Sequence, residues 1–431
     1  MIEQTSFAVD NIPEFKHKAI TWANQFSTFL CLDSNNYQLD EYSKIEWCLA
    51  IDTIDELKVD AGNAFEKLKT FKAKKKRWLF GYFAYDLKNE IENLSSQNKD
   101  QLHFPDLYFF EPRYLIFIEK GKVVIPRNYP EAFHIFDSIQ NIELTKSQSF
   151  DIQLNTTINK SDYLQKVEAI RQKIEEGEVY ELNLCNEFYA KNVAFDALSF
   201  FHQINEISQS PFSVFFKNKE QFVLSASPER FLAKRKQTLI SQPIKGTIKK
   251  GATEEENLLQ KVKLHHDRKE RAENVMIVDL VRNDLTKSAI TGTIKVPELF
   301  KIYEFPTINH MISTVTAELN PVVEDVDAIK NAFPMGSMTG APKVKAMQLI
   351  EHFEKSKRGI YSGAIGYFSP DGDFDFNVVI RSLLYNQRNQ YLSLQVGGAI
   401  TYDSIAEMEF QEIQTKAKAI VDLLGGCKPI K

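Results

Sequence analysis

No stretch of this sequence approaches the roughly 18 uninterrupted apolar residues that a membrane-spanning helix needs. The opening residues, MIEQTSFAVDNIPEF, lack the charged-then-apolar layout of a secretory signal. Cysteine is scarce: Cys31, Cys48, Cys185 and Cys427 lie far apart, without metal-ligand spacing. They read as reduced thiols in a cytoplasmic protein. Positive charge is not in excess, and a net charge of -5 gives no general pull toward nucleic acid or acidic membranes. The basic run KAKKKR at 72–77 therefore reads as a solvated turn. There is no internal repeat and no low-complexity tract.

What is present is ordinary globular material, 43% apolar and 26% charged over 431 residues. That length suits two or three domains or one large α/β body. YLIFI, EKGK and VVIP, from Tyr114 to Pro126, predict a β-hairpin. Residues 139–160 are polar and poorly patterned, which places a soft boundary near residue 150. After it, Ser161 is positioned as a helix N-cap. Leu164, Val167, Ile170 and Ile174 repeat at helical spacing, and Gly177 closes the helix. Strands and helices then alternate to the end, as in a layered sheet-and-helix body.

Two predicted helices carry carboxylates against apolar faces. In RKERAENVMIVDLV (268–281), Met276, Ile277, Leu280 and Val281 share a face, with Glu273 near its centre. An unpaired buried carboxylate costs several kcal/mol, so Glu273 must be protonated, ion-paired or metal-bound. Further on, Ser404 and Glu407 fit a capping box. The helix beyond them has an apolar stripe of Ile413, Ala417, Ile420 and Leu424, edged by Glu409, Glu412 and Lys416. Carboxylates on one half-buried edge repel unless a cation lies between them, and magnesium suits oxygen ligands. A surface Glu–Lys ladder fits the same spacing.

Three further segments carry chemistry. GSMTGAPKVKAMQLIE (336–351) has small residues and then Pro342 at a first helical position. Free N–H groups there would suit an anion, though no G-K-[ST] closes a phosphate loop. A plain helix cap fits equally. SQPIKGTIKKG (241–251) sets Lys245 between Ile244 and Gly246, where burial could free its amine as a nucleophile; a surface lysine is the plainer reading. FVLSASPERF (222–231) ends a strand at Glu229, either a general acid or a turn carboxylate paired with Arg230.

Taken in order, SASPERF, PIKGT, ERAENVMIVDLVRNDL, GSMTGAPKVKAM, SGAIGYF and QVGGAITYDSIAEMEFQEIQTKA resemble the chorismate-utilising enzymes. GYFAYDLKNEIE (81–92) adds an N-terminal match. That family includes anthranilate synthase component I, aminodeoxychorismate synthase component I, isochorismate synthase and salicylate synthase. The resemblance implies an α/β (α+β) fold, two large antiparallel β-sheets packed as a sandwich with helices outside. Residues 1–150 would contribute strands to the common body, and 151–431 would form the chorismate-binding catalytic domain.

Residue by residue, the resemblance makes Glu273 and Glu412 ligands of Mg2+, with Glu409 acting nearby through water. Lys416, Gly398 and Ala399 would contact the region of the chorismate ring carboxylate. Tyr367 and Arg381 would bind the enolpyruvyl carboxylate, and Thr247, His310 and Ser337 would line the pocket. Lys245 stands where anthranilate synthases carry alanine, as in aminodeoxychorismate synthases. The implied reaction is amination at C4: Glu229 protonates the departing hydroxyl, Lys245 bonds to C2 with its pKa depressed by burial, and ammonia displaces it. The product, 4-amino-4-deoxychorismate, leads to 4-aminobenzoate and folate; anthranilate synthase is the alternative. Glu181, in VYELN, stands where water-adding relatives have lysine and many amine-transferring ones glutamine. No amidotransferase nucleophile motif, G-x-C-x-G, is present, so ammonia is expected from free solution or from a separate glutamine amidotransferase subunit. FLCLDSNN (29–36) resembles a tryptophan-binding segment of relatives, through Ser34.

Overall fold

Alternation along the strands decides which way each side chain faces. In the strand Trp47–Val59, Cys48 and Ala50 enter one buried cluster while Trp47, Leu49 and Ile51 enter another. Leu30 and Phe29, Val214 and Phe215, and Val223 and Leu224 divide between the same two clusters. These strands are therefore covered on both faces. The computed structural model describes residues 4–37, 40–145 and 148–426, and Cys427 lies outside them.

Pairing is antiparallel throughout the sheet. One half runs from Glu181–Lys191 through Tyr391–Ile400, Ser382–Asn386, Gln221–Ser227, Phe212–Asn218 and Thr28–Asp33 to Trp47–Val59. The other runs from Leu79–Phe83 through Ala364–Phe368, Phe374–Val378, Arg230–Arg235 and Thr238–Gln242 to Ile308–Glu318. The long strand Leu107–Glu119 pairs with both Trp47–Val59 and Leu79–Phe83, so the two halves are continuous. Their facing sides share one core. The outer side of the first half packs under helices that include Ile12–Ala23, Lys160–Glu175, Ala197–Ser208 and Ala406–Leu424. Strands from before residue 150 pair directly with strands from after it, Thr28–Asp33 with Phe212–Asn218 and Leu79–Phe83 with Ala364–Phe368.

The hairpin forms between Leu107–Glu119 and Lys122–Ile125, with positive φ at Lys120 and Gly121, as a two-residue primed turn requires. Elsewhere the local signals shift. Asn159, not Ser161, caps the helix Lys160–Glu175: its side chain accepts the N–H of Asp162, and it sits in the extended conformation a cap needs. The 72–77 run passes from the end of a helix into an exposed turn at 74–76, as expected, with its two ends held by the fold. Lys72 pairs with Asp325, Lys74 with Asp55 and Lys75 with Glu111, while buried Arg77 bonds Glu111 and the Phe71 carbonyl. No helix among the described residues is long and apolar enough to cross a membrane.

Candidate active site

The edge of the second half carries the site. Ile244–Lys249 and Lys295–Glu304 flank Ile308–Glu318. Against them lie the helix Arg268–Thr286, the helix Ala406–Leu424, and the adjacent Glu181–Lys191 and Tyr391–Ile400 strands. Between these elements is a cavity of about 560 Å³, within the usual range for a small-molecule site. Glu229, Lys245, Thr247, Glu273, His310, Ser337, Arg381, Ala399, Glu412 and Lys416 all line it. Residues scattered over 188 positions of sequence thus share one wall.

Lys245 is 11% exposed, and its Nζ lies 2.7 Å from Glu181 Oε1 and 3.9 Å from Glu273 Oε2. Burial pulls the amine's pKa down, but Glu181 and Glu273 outweigh it and the net shift is upward. This corrects the expectation of a depressed pKa: without substrate, Lys245 is an ammonium. Glu229 behaves oppositely. It is buried, it accepts a 2.7 Å hydrogen bond from Ser337 Oγ, and burial pushes its pKa up to about 7. It is not paired with Arg230, which bonds Asp40 and Asp375 instead.

His310 meets Thr247 Oγ1 through Nδ1 at 2.7 Å, and burial lowers its pKa to about 3, so the ring is neutral. Arg381 sits at φ +52, a left-handed conformation that is strained for a residue other than glycine and concentrates at functional positions. Its guanidinium reaches the cavity and bonds the Lys416 carbonyl at 3.4 Å. Among the described residues no carboxylate lies within ion-pair distance of it. A half-buried cation at a cavity wall with no carboxylate paired to it suits an anionic ligand.

The apolar stripe of the helix Arg268–Thr286 runs through Ile277, Val278, Val281 and Leu285, one position off the predicted one, with Met276 and Leu280 half-buried. Glu273 is therefore at the stripe's edge, facing the cavity and within 4 Å of Lys245 and Lys269. Glu270, one turn earlier, lines the same cavity and escaped the sequence reading. Burial, then repulsion from Glu273, pushes its pKa up to about 7. The overlooked signal is a repeat: Glu270-x-x-Glu273 on one helix and Glu409-x-x-Glu412 on the other. Ser404 and Glu407 do not form a capping box. The helix begins at Ala406; Ser404 Oγ donates to Glu409 Oε1 at 2.8 Å, and Glu407 pairs with Lys160. Lys416 bridges Glu412 Oε1 at 2.6 Å and the Gly397 carbonyl at 3.0 Å. Gly398 lies beneath the carboxylates; a Cβ there would come within 3.6 Å of Glu409 Oε2 and 3.9 Å of Glu412 Oε1.

Pro342 is the residue before the helix Lys343–Phe353, not its first. The segment ahead of it serves the cavity through Ser337 and Met338. Tyr367 is not at this cavity. Alternation along Ala364–Phe368 turns it against Trp78 and Phe80. There it shares a second cavity, of about 50 Å³, with Ser34. That is room for a few waters, well short of an indole. The tyrosine that does line the main cavity is Tyr361, in the turn before the strand.

A family model described as chorismate binding enzyme matches residues 27–422. The chain belongs to the chorismate-binding enzymes. Aminodeoxychorismate synthase component 1 of Klebsiella aerogenes is 35% identical over 347 residues, which are 80% of this chain and 76% of that protein. Anthranilate synthase component 1 of Aquifex aeolicus is 31% identical over 365 residues, 80% and 73%. Among solved structures, anthranilate synthase component I from Streptococcus pneumoniae TIGR4 superposes with a TM-score of 0.75 at 25% identity, covering 89% of this chain and 95% of that one. This chorismate-binding enzyme therefore has the fold its motifs implied.

Proposed function

We propose that this enzyme aminates chorismate at C4, as an aminodeoxychorismate synthase component 1. The observation that carries the reading is the Lys245 amine, enclosed in the cavity that also holds Glu229. Arg381, free of any carboxylate partner among the described residues, receives a substrate carboxylate in a planar fork. Protonated Glu229 gives its proton to the C4 hydroxyl, which leaves as water. Lys245 passes its own proton to Glu181, 2.7 Å away. The freed amine then bonds to C2 as the ring diene shifts. Ammonia bonds to C4, the diene shifts back, and the C2–Nζ bond breaks. The proton from the new C4 ammonium restores Glu229, and Nζ recovers its proton from Glu181.

No three His, Cys, Asp or Glu side chains among the described residues converge as a ready-made metal cluster. Magnesium does not require one: it is held by one or two carboxylates, with water and substrate oxygens completing its shell. Glu273 and Glu412, facing one cavity from two helices, fit that role, with Glu270 on the same wall and Glu409 behind, bonded to Ser404. When bound, magnesium would neutralise these carboxylates and hold an anionic oxygen of the substrate. Ammonia would come from a glutamine amidotransferase; the relatives' designation as component 1 supports a second subunit.

The test is product analysis with chorismate, ammonium and magnesium. A product that becomes 4-aminobenzoate when an aminodeoxychorismate lyase is added supports the reading. Direct release of 2-aminobenzoate refutes it and favours the anthranilate synthase reaction of the Aquifex relative.

A further inference from the structure

The strand Ile244–Lys249 brings a second lysine to the cavity. Lys245, Thr247 and Lys249 alternate along it, and all three line the cavity wall. Burial falls along the series: Lys245 is 11% exposed, whereas Thr247 and Lys249 are both in the exposed class. The first lysine therefore stands deep in the cavity and the second at its mouth.

Lys249 has no carboxylate within ion-pair distance among the described residues. The nearby lysines are occupied. Its sequence neighbour Lys250 lies 2.6 Å from Glu304 Oε1, and Lys261 takes the other oxygen of that carboxylate. Lys269, which lines the same cavity, is 3.8 Å from Glu273 Oε1. Chorismate carries two carboxylates. It approaches a chain of net charge -5 and a cavity lined by Glu229, Glu270, Glu273 and Glu412. Arg381, which would receive one substrate carboxylate, is half-buried on that wall. A dianion arriving from solvent meets repulsion first unless a positive charge stands at the opening, where a cleft concentrates the field. We propose that Lys249 is an entry residue for the dianionic substrate, drawing one carboxylate to the cavity mouth before it passes inward to Arg381. A hydrated ammonium on a flexible stem suits this task, because it attracts an anion without the fixed fork that would retain it. The proposal rests on chorismate being the substrate, and is indifferent to which ring carbon is aminated.

The experiment follows chorismate consumption by the enzyme supplied with magnesium and ammonium, at ionic strengths from about 20 mM to about 0.5 M. Screening shortens the reach of a charge from roughly 20 Å to about 4 Å over that range. Lys249→Met keeps the stem and removes the charge. It is expected to lower kcat/KM about three- to tenfold at the low end, with kcat within about twofold of the parent, and the deficit should shrink to within about twofold at the high end. Lys249→Arg should stay within about twofold of the parent throughout. Lys263→Met removes a comparably exposed charge that does not line the cavity, and should leave kcat/KM unchanged. A lysine that only braced the strand would lower kcat as well, and its deficit would persist in salt. A diffuse attraction by the whole face would respond to Lys263→Met as strongly as to Lys249→Met. Either result overturns the entry residue, and so does a parental kcat/KM for Lys249→Met at low salt. Circular dichroism checks folding; should Lys249→Met misfold, Lys249→Gln takes its place with the same expectations. A parent enzyme that consumes no chorismate would instead sink the proposed function, and that is read without any variant.

Discussion

Replacing Lys245 with methionine tests whether the amine belongs to a buried pair. Methionine keeps most of the stem's volume and removes the charge. Glu181 would then have both carboxyl oxygens buried and unpartnered, because Oε2 already lacks a donor and Oε1 depends on Nζ. Removing one member of a buried pair costs about 3–5 kcal/mol. The stranded carboxyl can limit that cost by taking up a proton, so we expect about 2–4 kcal/mol at pH 8 and less at pH 5. The sign follows from linkage: a stranded group that binds its proton more tightly when folded destabilises the protein more as pH rises. Lys245→Met combined with Glu181→Met replaces the pair with apolar side chains and should recover most of the loss. Amination should fall at least about 10³-fold in Lys245→Met, a loss of some 4 kcal/mol of transition-state stabilisation. Urea unfolding at both pH values, with product analysis beside it, reads all of this. Parental stability at pH 8 together with retained amination would refute the buried pair and the covalent route at once.

Glu229→Gln should lower kcat by about 10²–10⁴-fold. In the parent, kcat/KM should decline as pH rises through about 7, where Glu229 loses its proton; the same limb should be missing from the residual activity of the variant, and a limb that persists there belongs to another group. Arg381→Met removes a charged hydrogen-bond donor worth about 1.5–3 kcal/mol. The KM for chorismate should rise about 10- to 100-fold; an unaltered KM takes Arg381 out of carboxylate binding. Glu270→Gln removes a charge from the carboxylate repeat without changing its shape. If that repeat holds magnesium, half-maximal activation should need several times more magnesium, and an unchanged requirement leaves Glu270 outside the metal's surroundings.

The parts of this site legible in sequence were those whose chemistry is local. Glu273 on a half-apolar helix and the Glu409–Glu412–Lys416 edge announce themselves by helical period, and the motif order points to the fold. What failed were features set by tertiary packing. Tyr361 lies six residues before Tyr367, in the turn ahead of the strand; an even spacing read as continuous strand would put both on one face, and only the folded chain sets Tyr367 against Trp78 and Phe80 and Tyr361 at the cavity. Burial alone points to a neutral Lys245, and the carboxylates that reverse this are distant in sequence. Its partner Glu181 is 64 residues away in sequence, and no periodicity connects the two. Asn159 displaced Ser161 as a cap for a smaller reason: both are good caps two residues apart, and the chain is extended at the first.

The cavity is built for charge to arrive. Glu270, Glu273 and Glu409 are each driven upward in pKa first by burial and, in part, by neighbouring carboxylates, Glu412 among them in every case. Such a cluster is poised to accept a cation, and Lys269, Lys245 and Lys416 only partly neutralise it. At the opposite extreme Arg381 has no carboxylate to itself among the described residues. A ligand with two carboxylates and an accompanying divalent cation would correct both imbalances together, whereas either alone would correct one. Chorismate and the metal should therefore bind cooperatively. Isothermal titration of each in the absence and presence of the other checks this, and because binding coupling is reciprocal the two affinities must improve by the same factor. Independent affinities would mean that the acidic repeat and the Arg381 pocket are separate features, and the common site inferred from their shared wall would have to be given up.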